Sequence, residues 1–253
     1  MLPELSPMIW AVIIAIALSA GFVKGSVGFA MPTIMVSGLG SVLHPAQALA
    51  ALIIPTLIAN GMQTLRGGVP EAIASIRRQW RYISVMLVMI VFSAQLVTAL
   101  PETVLFLIIG VPVVVFALIQ LAGFRPVIAE HRRRLTEVLV GAFAGFLGGL
   151  SGSWGPPTVL YLTALNTPKA EQLRVQGIVY GLAAMVLAAA HIRSGVFNAQ
   201  TAPLSAILLF PALLGTLIGF RVADRLNQER FRQATLIVLV LAGLNLVRRG
   251  LMG

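Results

Sequence analysis

Long apolar runs, separated by short polar segments, dominate the hydrophobic pattern of the chain. Eight of them approach the roughly 20 residues that a helix needs to cross the hydrocarbon core of a bilayer. These runs are 8–23, 47–65, 82–99, 103–122, 136–150, 175–192, 203–220 and 233–247. Two shorter apolar pieces, 28–41 and 154–165, each follow a glycine-rich interruption. Apolar and polar residues do not alternate within the runs, which argues against a β-barrel. The pattern predicts an all-α polytopic membrane protein.

The composition strengthens this prediction. Of the 253 residues, 58% are hydrophobic and 10% are charged, against roughly 25% charged in an average soluble domain. A soluble domain of this length has too little polar surface to cover so much apolar side chain. An ordinary cytosolic enzyme, a disordered chain and a nucleic-acid-binding protein are therefore excluded. The chain has no cysteine, which excludes disulfides and thiolate metal ligands.

The charges predict the topology. The formal net charge is +10, and 14 of the 18 Lys and Arg residues fall in four segments, 66–81, 123–137, 169–174 and 221–232. By the positive-inside rule these segments face the cytoplasm. The turns without Lys or Arg, which we expect on the outer side, are 41–46, 100–102 and 194–202. We interpret the positive charge as a mark of orientation in the cell (inner) membrane, which the chain crosses several times, although Arg248 and Arg249 leave the side of the C-terminus open.

An internal repeat divides the chain into two halves. Residues 20–28 match residues 144–152 at an offset of 124, beginning with Ala-Gly-Phe in both copies. The loop charges reverse between the halves, since 66–81 is basic and its counterpart 194–202 carries no Lys or Arg. Equal folds with opposite loop charge indicate an inverted-topology repeat, a plan common among secondary transporters. Each repeat is predicted to hold four elements, a broken glycine-rich hairpin and three transmembrane helices. The predicted divisions are a first repeat at 1–122, a basic cytoplasmic linker at 123–135 and a second repeat at 136–253.

The first segment of each repeat must be broken. A straight helix over 8–41 would be roughly 50 Å long, which exceeds the ~30 Å core. We place the breaks near Lys24–Gly28 and Gly148–Gly155, and the sequence leaves open whether the resulting hairpins cross fully or re-enter. Helix N-termini at two opposed breaks would direct N–H groups and positive dipole ends to one place near the midplane. The breaks therefore predict a site for a small anion between them, used by alternating access.

The candidate substrate-binding residues are small or polar residues in and beside the two breaks. They are Lys24, Gly25, Ser26, Gly28, Thr33, Gly149, Ser151, Gly152, Ser153, Trp154, Thr158, Arg174 and Gln176. Lys24 stands out because it is the only ionisable residue in 8–41, and a charge at bilayer depth costs about 3 kcal/mol. Alternatively, Lys24 has no role in binding, and its side chain extends to the cytoplasmic surface of the membrane. The glycines could instead serve only to let helices pack closely. Trp154 could be a packing residue or an aromatic residue at the membrane interface. Arg174 could serve only to fix the orientation of the chain in the membrane.

Missing motifs limit the chemistry. The chain has no phosphate-binding loop of the Walker type and no hydrolase or zinc-protease motif, so we predict that it is not an enzyme. No two of His44, His131 and His191 have metal-ligand spacing, which argues against a metal site. No Asp or Glu lies in the middle of a predicted span, so a carboxylate proton relay is missing. No resident cofactor is predicted. Coupling to H⁺, or to Na⁺ held by unwound carbonyls, stays open.

The two glycine-rich repeats resemble those of the TauE/SafE family of sulfite exporters and related organosulfur anion transporters. The resemblance rests on GFVKGSVGFAMPTIM (21–35) with HPAQALAA (44–51), and on GAFAGFLGGLSGSWGPPTVLYL (141–162) with PKAEQLRVQG (168–177). It extends over essentially the whole chain and implies transport of a small sulfur-containing or carboxylate anion, such as sulfite or sulfoacetate. The sequence departs from the family pattern at Lys24, and at Phe29, Ala30 and Met31, where glycine is more usual.

Three hypotheses follow for the function. The first is a secondary transporter that exports a small anion. The second is an anion channel of the same fold. The third is a non-transporting membrane subunit that docks a partner enzyme through its basic cytoplasmic loops. The expected partners are the anionic substrate and membrane lipids, without nucleic acid, and a homodimer stays an open alternative.

Overall fold

The computed structural model describes residues 6–93, 102–124, 132–151 and 155–252, and these residues are helical with no strand among them. Their twelve helices are α1 (Pro7–Val27), α2 (Met31–Leu39), α3 (Pro45–Ala51), α4 (Ile53–Leu65), α5 (Val69–Arg78), α6 (Trp80–Ser93), α7 (Glu102–Leu121), α8 (Arg133–Ser151), α9 (Gly155–Ala164), α10 (Lys169–Arg193), α11 (Ala202–Arg225) and α12 (Gln228–Met252). The predicted all-helical fold is confirmed, and the described residues of each of the eight long apolar runs lie almost entirely on one or two of these helices.

Five helical stretches are long and apolar enough to cross a membrane by length and composition. They are Pro7–Val27, Ala46–Leu65, Lys169–Arg193, Ala202–Arg225 and Gln228–Met252. Two further apolar helical stretches in the described part of the chain, Trp80–Ser93 and the Gly110–Leu121 part of α7, are shorter. The chain is therefore a multi-pass helical membrane protein.

The predicted breaks coincide with helix ends. Helix α1 ends at Val27 and α2 begins at Met31, whereas α8 ends at Ser151 and α9 begins at Gly155. Residues 152–154, inside the second predicted break, lie outside the described residues, so the turn itself is seen only in the first pair. The opposite orientation of the two halves stays a prediction.

The first broken pair joins a long helix to a short one. Helix α1 has 21 residues and α2 has 9, which correspond to about 31 Å and about 14 Å. By length, α1 can cross the hydrocarbon core and α2 reaches about half of it. Gly38, near the end of α2, lies against the side chain of Ile16 in the middle of α1. The short helix therefore folds back along the long one.

Helix α5 lies in the basic segment 66–81, where the sequence analysis predicted no helix. Its charges suit the helix dipole, with Glu71 in the first turn and Arg77 and Arg78 in the last. Val69 and Ile73 leave apolar side chains exposed on it. A short helix with one charged and one apolar face is typical of a membrane surface.

The chain packs as two compact units, each built from both halves of the sequence. The described residues up to Arg66 form one unit with Gly177–Asn227, and those of Gly67–Gln176 form the other with Gln228–Gly253. In the first unit α1 packs mainly on α11, and in the second α8 packs mainly on α6, while α7 packs on α12. In the repeat, α8 corresponds to α1 and α6 to α11, so each broken pair rests on a helix from the other half. The predicted boundaries at 122 and 136 describe the sequence repeat and stay predictions.

Glycines allow the main helix pair of each unit to approach closely. Gly21 and Gly25 on α1 face Gly215 and Gly219 on α11, and backbone atoms of the facing helix occupy the space that a Cβ atom would need. Small residues at this four-residue spacing are the usual means of close packing in membranes. In the second unit, Gly145 approaches the Met86 carbonyl on α6 in the same way. The structure thus places Gly25, a candidate site residue, in a packing contact.

Candidate functional site

The first break is a three-residue connection with two residues in left-handed conformations. Gly28 ends α1 with φ of 92°, and its N–H donates to the Lys24 carbonyl at 2.8 Å, as in the usual glycine C-cap. Ala30 precedes α2 with φ of 71°. This turn exposes the Gly28 carbonyl, which accepts hydrogen bonds from Lys24 Nζ at 3.0 Å and Gln63 Nε2 at 3.2 Å.

Ala30→Gly is expected to stabilise the protein. A residue with a Cβ atom in the left-handed region costs roughly 1–2 kcal/mol, whereas glycine loses about 0.5–1 kcal/mol more backbone entropy on folding. The net gain of about 0.5–1 kcal/mol should raise the melting temperature of the purified protein by about 2 °C. Ala11→Gly, at an exposed position inside α1, is the matched control and should lower it. Equal losses in both variants would contradict the strain at Ala30.

Lys24 is enclosed by the first unit. Its side chain is 1% exposed, and its ammonium donates to the Gly28 carbonyl and to Asn60 Oδ1 on α4. The ring of Tyr180 on α10 lies 5.2 Å from Nζ, within the range of a cation–π interaction. Among the described residues, these partners are dipoles and a π-face, and none is a carboxylate. The Lys24 amino group is therefore held inside protein without a counter-ion among the described residues, and it does not extend to the membrane surface.

The buried carboxylate of the second unit shows the opposite arrangement. Glu137 on α8 is 1% exposed. Its oxygens accept from Arg133 at 3.0 Å and from Arg81 at 3.3 Å. Buried charges are ordinarily paired in this way, because an unpaired ion loses its hydration without compensation. Lys24 departs from this rule, because none of its partners among the described residues carries a negative charge.

The other predicted residues of the first break have different environments. Ser26 is buried, and its hydroxyl has no hydrogen-bond partner among the described residues. Thr33 is exposed in the first turn of α2. Gly28 supplies the carbonyl that Lys24 binds. Of the predicted residues, the structure brings Lys24 and Gly28 into direct contact.

The second break is described only at its edges. Gly149 and Ser151 lie in the last turns of α8, while Gly152, Ser153 and Trp154 lie outside the described residues. Two prolines follow Gly155 at the start of α9. Proline has no backbone N–H, and the N–H groups of the first turn have no partner within a helix, so these prolines cost no helix hydrogen bond. The interpretations of Ser153 and Trp154 stay predictions.

Thr158 is part of a buried aromatic cluster in the second unit. Its hydroxyl shares a hydrogen bond of 2.8 Å with the Tyr82 hydroxyl. The Tyr82 ring stacks on the Tyr161 ring, with centroids 5.0 Å apart. The cluster ties α9 to α6 and holds Thr158 fully inside the protein.

Tyr82→Phe is expected to destabilise the protein by about 1 kcal/mol, the usual net value of one buried hydrogen bond. Tyr161→Phe is the matched control, because the Tyr161 hydroxyl is buried and has no hydrogen-bond partner among the described residues. Its removal should be neutral or slightly stabilising. The two melting temperatures test this difference, and a larger loss for Tyr161→Phe would be evidence against it.

Arg174 and Gln176 lie near the start of α10. Arg174 Nη1 binds Ser75 Oγ at 3.2 Å and Glu71 Oε2 at 3.3 Å, so its guanidinium is engaged with α5. A second ion pair of 2.6 Å, Arg78 with Glu171, joins the same two helices. Gln176 is fully buried. The structure thus gives Arg174 a role in holding the surface helix.

Three residues around Lys24 were weakly indicated or missed by the sequence analysis. Asn60 and Gln63 are polar, three residues apart and buried in an otherwise apolar helix, a spacing that puts both side chains on one face. Two polar residues on one face of an apolar segment were the only sign in the sequence that Asn60 and Gln63 belong to the Lys24 site. Tyr180 had none, because an aromatic residue in an apolar run looks like ordinary packing.

A broken helix and a buried amino group without a counter-ion among the described residues, in a multi-pass helical fold, are features typical of membrane transport proteins. The family model described as "Sulfite exporter TauE/SafE" matches residues 13–246, nearly the whole chain, and the chain therefore belongs to this family. The predicted resemblance is confirmed, and the family is one of membrane anion transporters, not of enzymes. Searches of curated proteins and of solved structures found no match.

Proposed function

We propose that the chain is a secondary transporter that exports a small sulfur-containing anion, with sulfite as the first candidate and sulfoacetate or a similar sulfonate as the next, across the cell (inner) membrane. The observation that carries this proposal is the Lys24 ammonium, which is 1% exposed and has no carboxylate among its described partners. An anion is the partner that such a charge lacks.

The energetics favour a small oxyanion at this place. Opposite unit charges 4 Å apart attract by about 4 kcal/mol at an effective dielectric constant of 20, which is roughly a thousandfold in affinity. Gly28 and Asn60 accept from two of the three donors of the ammonium, and the third can donate to an oxygen of a sulfite or sulfonate group. The same charge repels cations, so the site favours anions over cations whatever their shape.

Enclosure of Lys24 favours a transporter over a channel. An anion that reaches a buried ammonium must be admitted by movement of the surrounding helices, as in alternating access. An open channel would keep such a residue in contact with water. The proposal of a docking subunit has less support, because arginines of the basic segments are engaged in ion pairs within the protein, as Arg66 is with Asp224 and Arg78 with Glu171.

Reconstitution separates the three hypotheses. Purified protein in liposomes should move radiolabelled sulfite with saturable kinetics, and sulfoacetate should compete. Turnover within the typical range of about 1–10³ per second supports a transporter. Rates beyond about 10⁶ per second, far above that range, would indicate a channel. Protein that neither moves nor binds the anion would favour the docking subunit.

Direction needs intact cells. Cells that produce the protein should retain less labelled sulfite than cells that produce an inactive variant, if the protein exports. Greater retention would reverse the proposed direction without affecting the proposal of transport.

A further inference from the structure

We propose that the Lys24 ammonium is a covalently attached substitute for a coupling cation, so that the protein moves its anion without Na⁺. This inference rests on the proposed function, because it concerns how the same site is charged. It decides between the coupling ions that the sequence leaves open.

The atoms that hold the ammonium are the kind that bind a hard cation. Broken-helix transporters bind Na⁺ through carbonyls of the unwound segment and through helix C-terminal ends. Gly28 lies immediately after the last residue of α1, and its carbonyl accepts from Lys24 Nζ at 3.0 Å. The negative end of the helix dipole lies at this terminus. Asn60 adds an amide oxygen from α4, so two neutral oxygens converge on one positive charge.

The Lys24 ammonium and a bound Na⁺ exclude each other at this position. The ammonium already occupies the Gly28 and Asn60 oxygens. Repulsion between two positive charges about 4 Å apart would also weaken Na⁺ binding by about a thousandfold. With Lys24 in place, the charge that attracts the anion is supplied by the protein itself and needs no Na⁺ gradient.

Removal of the ammonium should open a cation site. Lys24→Ala leaves a space beside the Gly28 carbonyl and the Asn60 amide, next to the Tyr180 ring. The two oxygens then lack their charged donor, and Na⁺ with its remaining water ligands can satisfy them. Lys24→Met also removes the charge but refills the space with an apolar chain of similar length. Both variants therefore lack the positive charge, but only Lys24→Ala has space for an ion.

Thermal unfolding of the purified full chain tests the inference without any anion substrate. Melting temperatures are compared in 100 mM NaCl and 100 mM choline chloride, which have equal ionic strength. We expect Na⁺ to raise the melting temperature of Lys24→Ala by about 3 °C or more, and to shift the wild type and Lys24→Met by less than about 1 °C. Lys24→Ala combined with Asn60→Ala should lose most of the shift, because one ligand oxygen is gone.

Three results would overturn the inference. These are a Na⁺-dependent shift in the wild type, the lack of a shift in folded Lys24→Ala, and an equal shift in Lys24→Met. A further test uses only the wild-type protein. The rate of labelled sulfite transport is measured once with Na⁺ and once with choline. Equal rates support the inference, and a severalfold stimulation by Na⁺ contradicts it.

The same measurements separate this inference from the proposed function. A Na⁺ shift in Lys24→Ala, together with a wild type that moves no sulfite, would support the cation position and reject the transport proposal. Na⁺-stimulated sulfite transport by the wild type would support the transport proposal and reject the inference about Lys24.

Discussion

Lys24→Met is expected to lower the rate of sulfite transport by about 100-fold or more, in the presence or absence of Na⁺, while the protein stays folded. The attraction between the ammonium and a bound anion is about 4 kcal/mol at 4 Å in a medium of intermediate dielectric constant. A loss of even two thirds of it corresponds to a factor of about 100. Initial rates in proteoliposomes, at matched protein content, measure the effect.

The fold should survive this change, because an apolar side chain of similar length replaces a charge that is costly to bury. Gly28 keeps the hydrogen bond from Gln63 at 3.2 Å. Lys169→Met is the matched control, since Lys169 is the second of the chain's two lysines and begins α10 away from the break. If Lys24→Met transported sulfite as fast as Lys169→Met, the assignment of the anion site to Lys24 would be wrong.

Gly21→Ala and Gly145→Ala are expected to destabilise the protein strongly, by about 3 kcal/mol each. An added Cβ would meet the Ala212 carbonyl in the first case and the Met86 carbonyl in the second. Backbone atoms yield only if the packed helices move apart, so the loss should reach the upper end of the range for overpacked sites. The measurements are the yield of monodisperse protein and its melting temperature.

Gly61→Ala provides the control for these variants. Gly61 lies inside α4, and no atom is close enough to meet an added Cβ. Alanine there should be neutral or should stabilise the helix by up to about 1 kcal/mol. Similar losses in all three variants would show that close approach of the helices does not determine the effect.

The prediction of the first break succeeded because it depends on local properties. A segment of 34 residues is too long for one span, and the glycines at its middle allow the chain to turn. Gly28 adopts the left-handed conformation that such a turn requires. The prediction that Lys24 is exceptional succeeded for a similar reason, since one charge in an apolar run is visible without any knowledge of contacts.

The neighbours of Lys24 could not be predicted to the same extent. Asn60 is 36 residues away in the sequence, and Tyr180 is contributed by the other half of the chain. Gly25 was interpreted as part of the site, but it faces α11, because its position on the helix surface points it towards a partner that the sequence does not identify. Helix α5 was missed because its charges resemble those of a basic loop.

By itself, the sequence determined the membrane environment, the all-helical fold, the first glycine-rich break and the family. These properties follow from composition and from periodicity along one chain. Only the tertiary structure decided that α1 packs on α11 and α8 on α6, and that Lys24 binds a carbonyl and an amide without a carboxylate. Those facts depend on which helices meet, and in an apolar medium that choice is made by the fit of small residues and buried dipoles rather than by hydrophobicity.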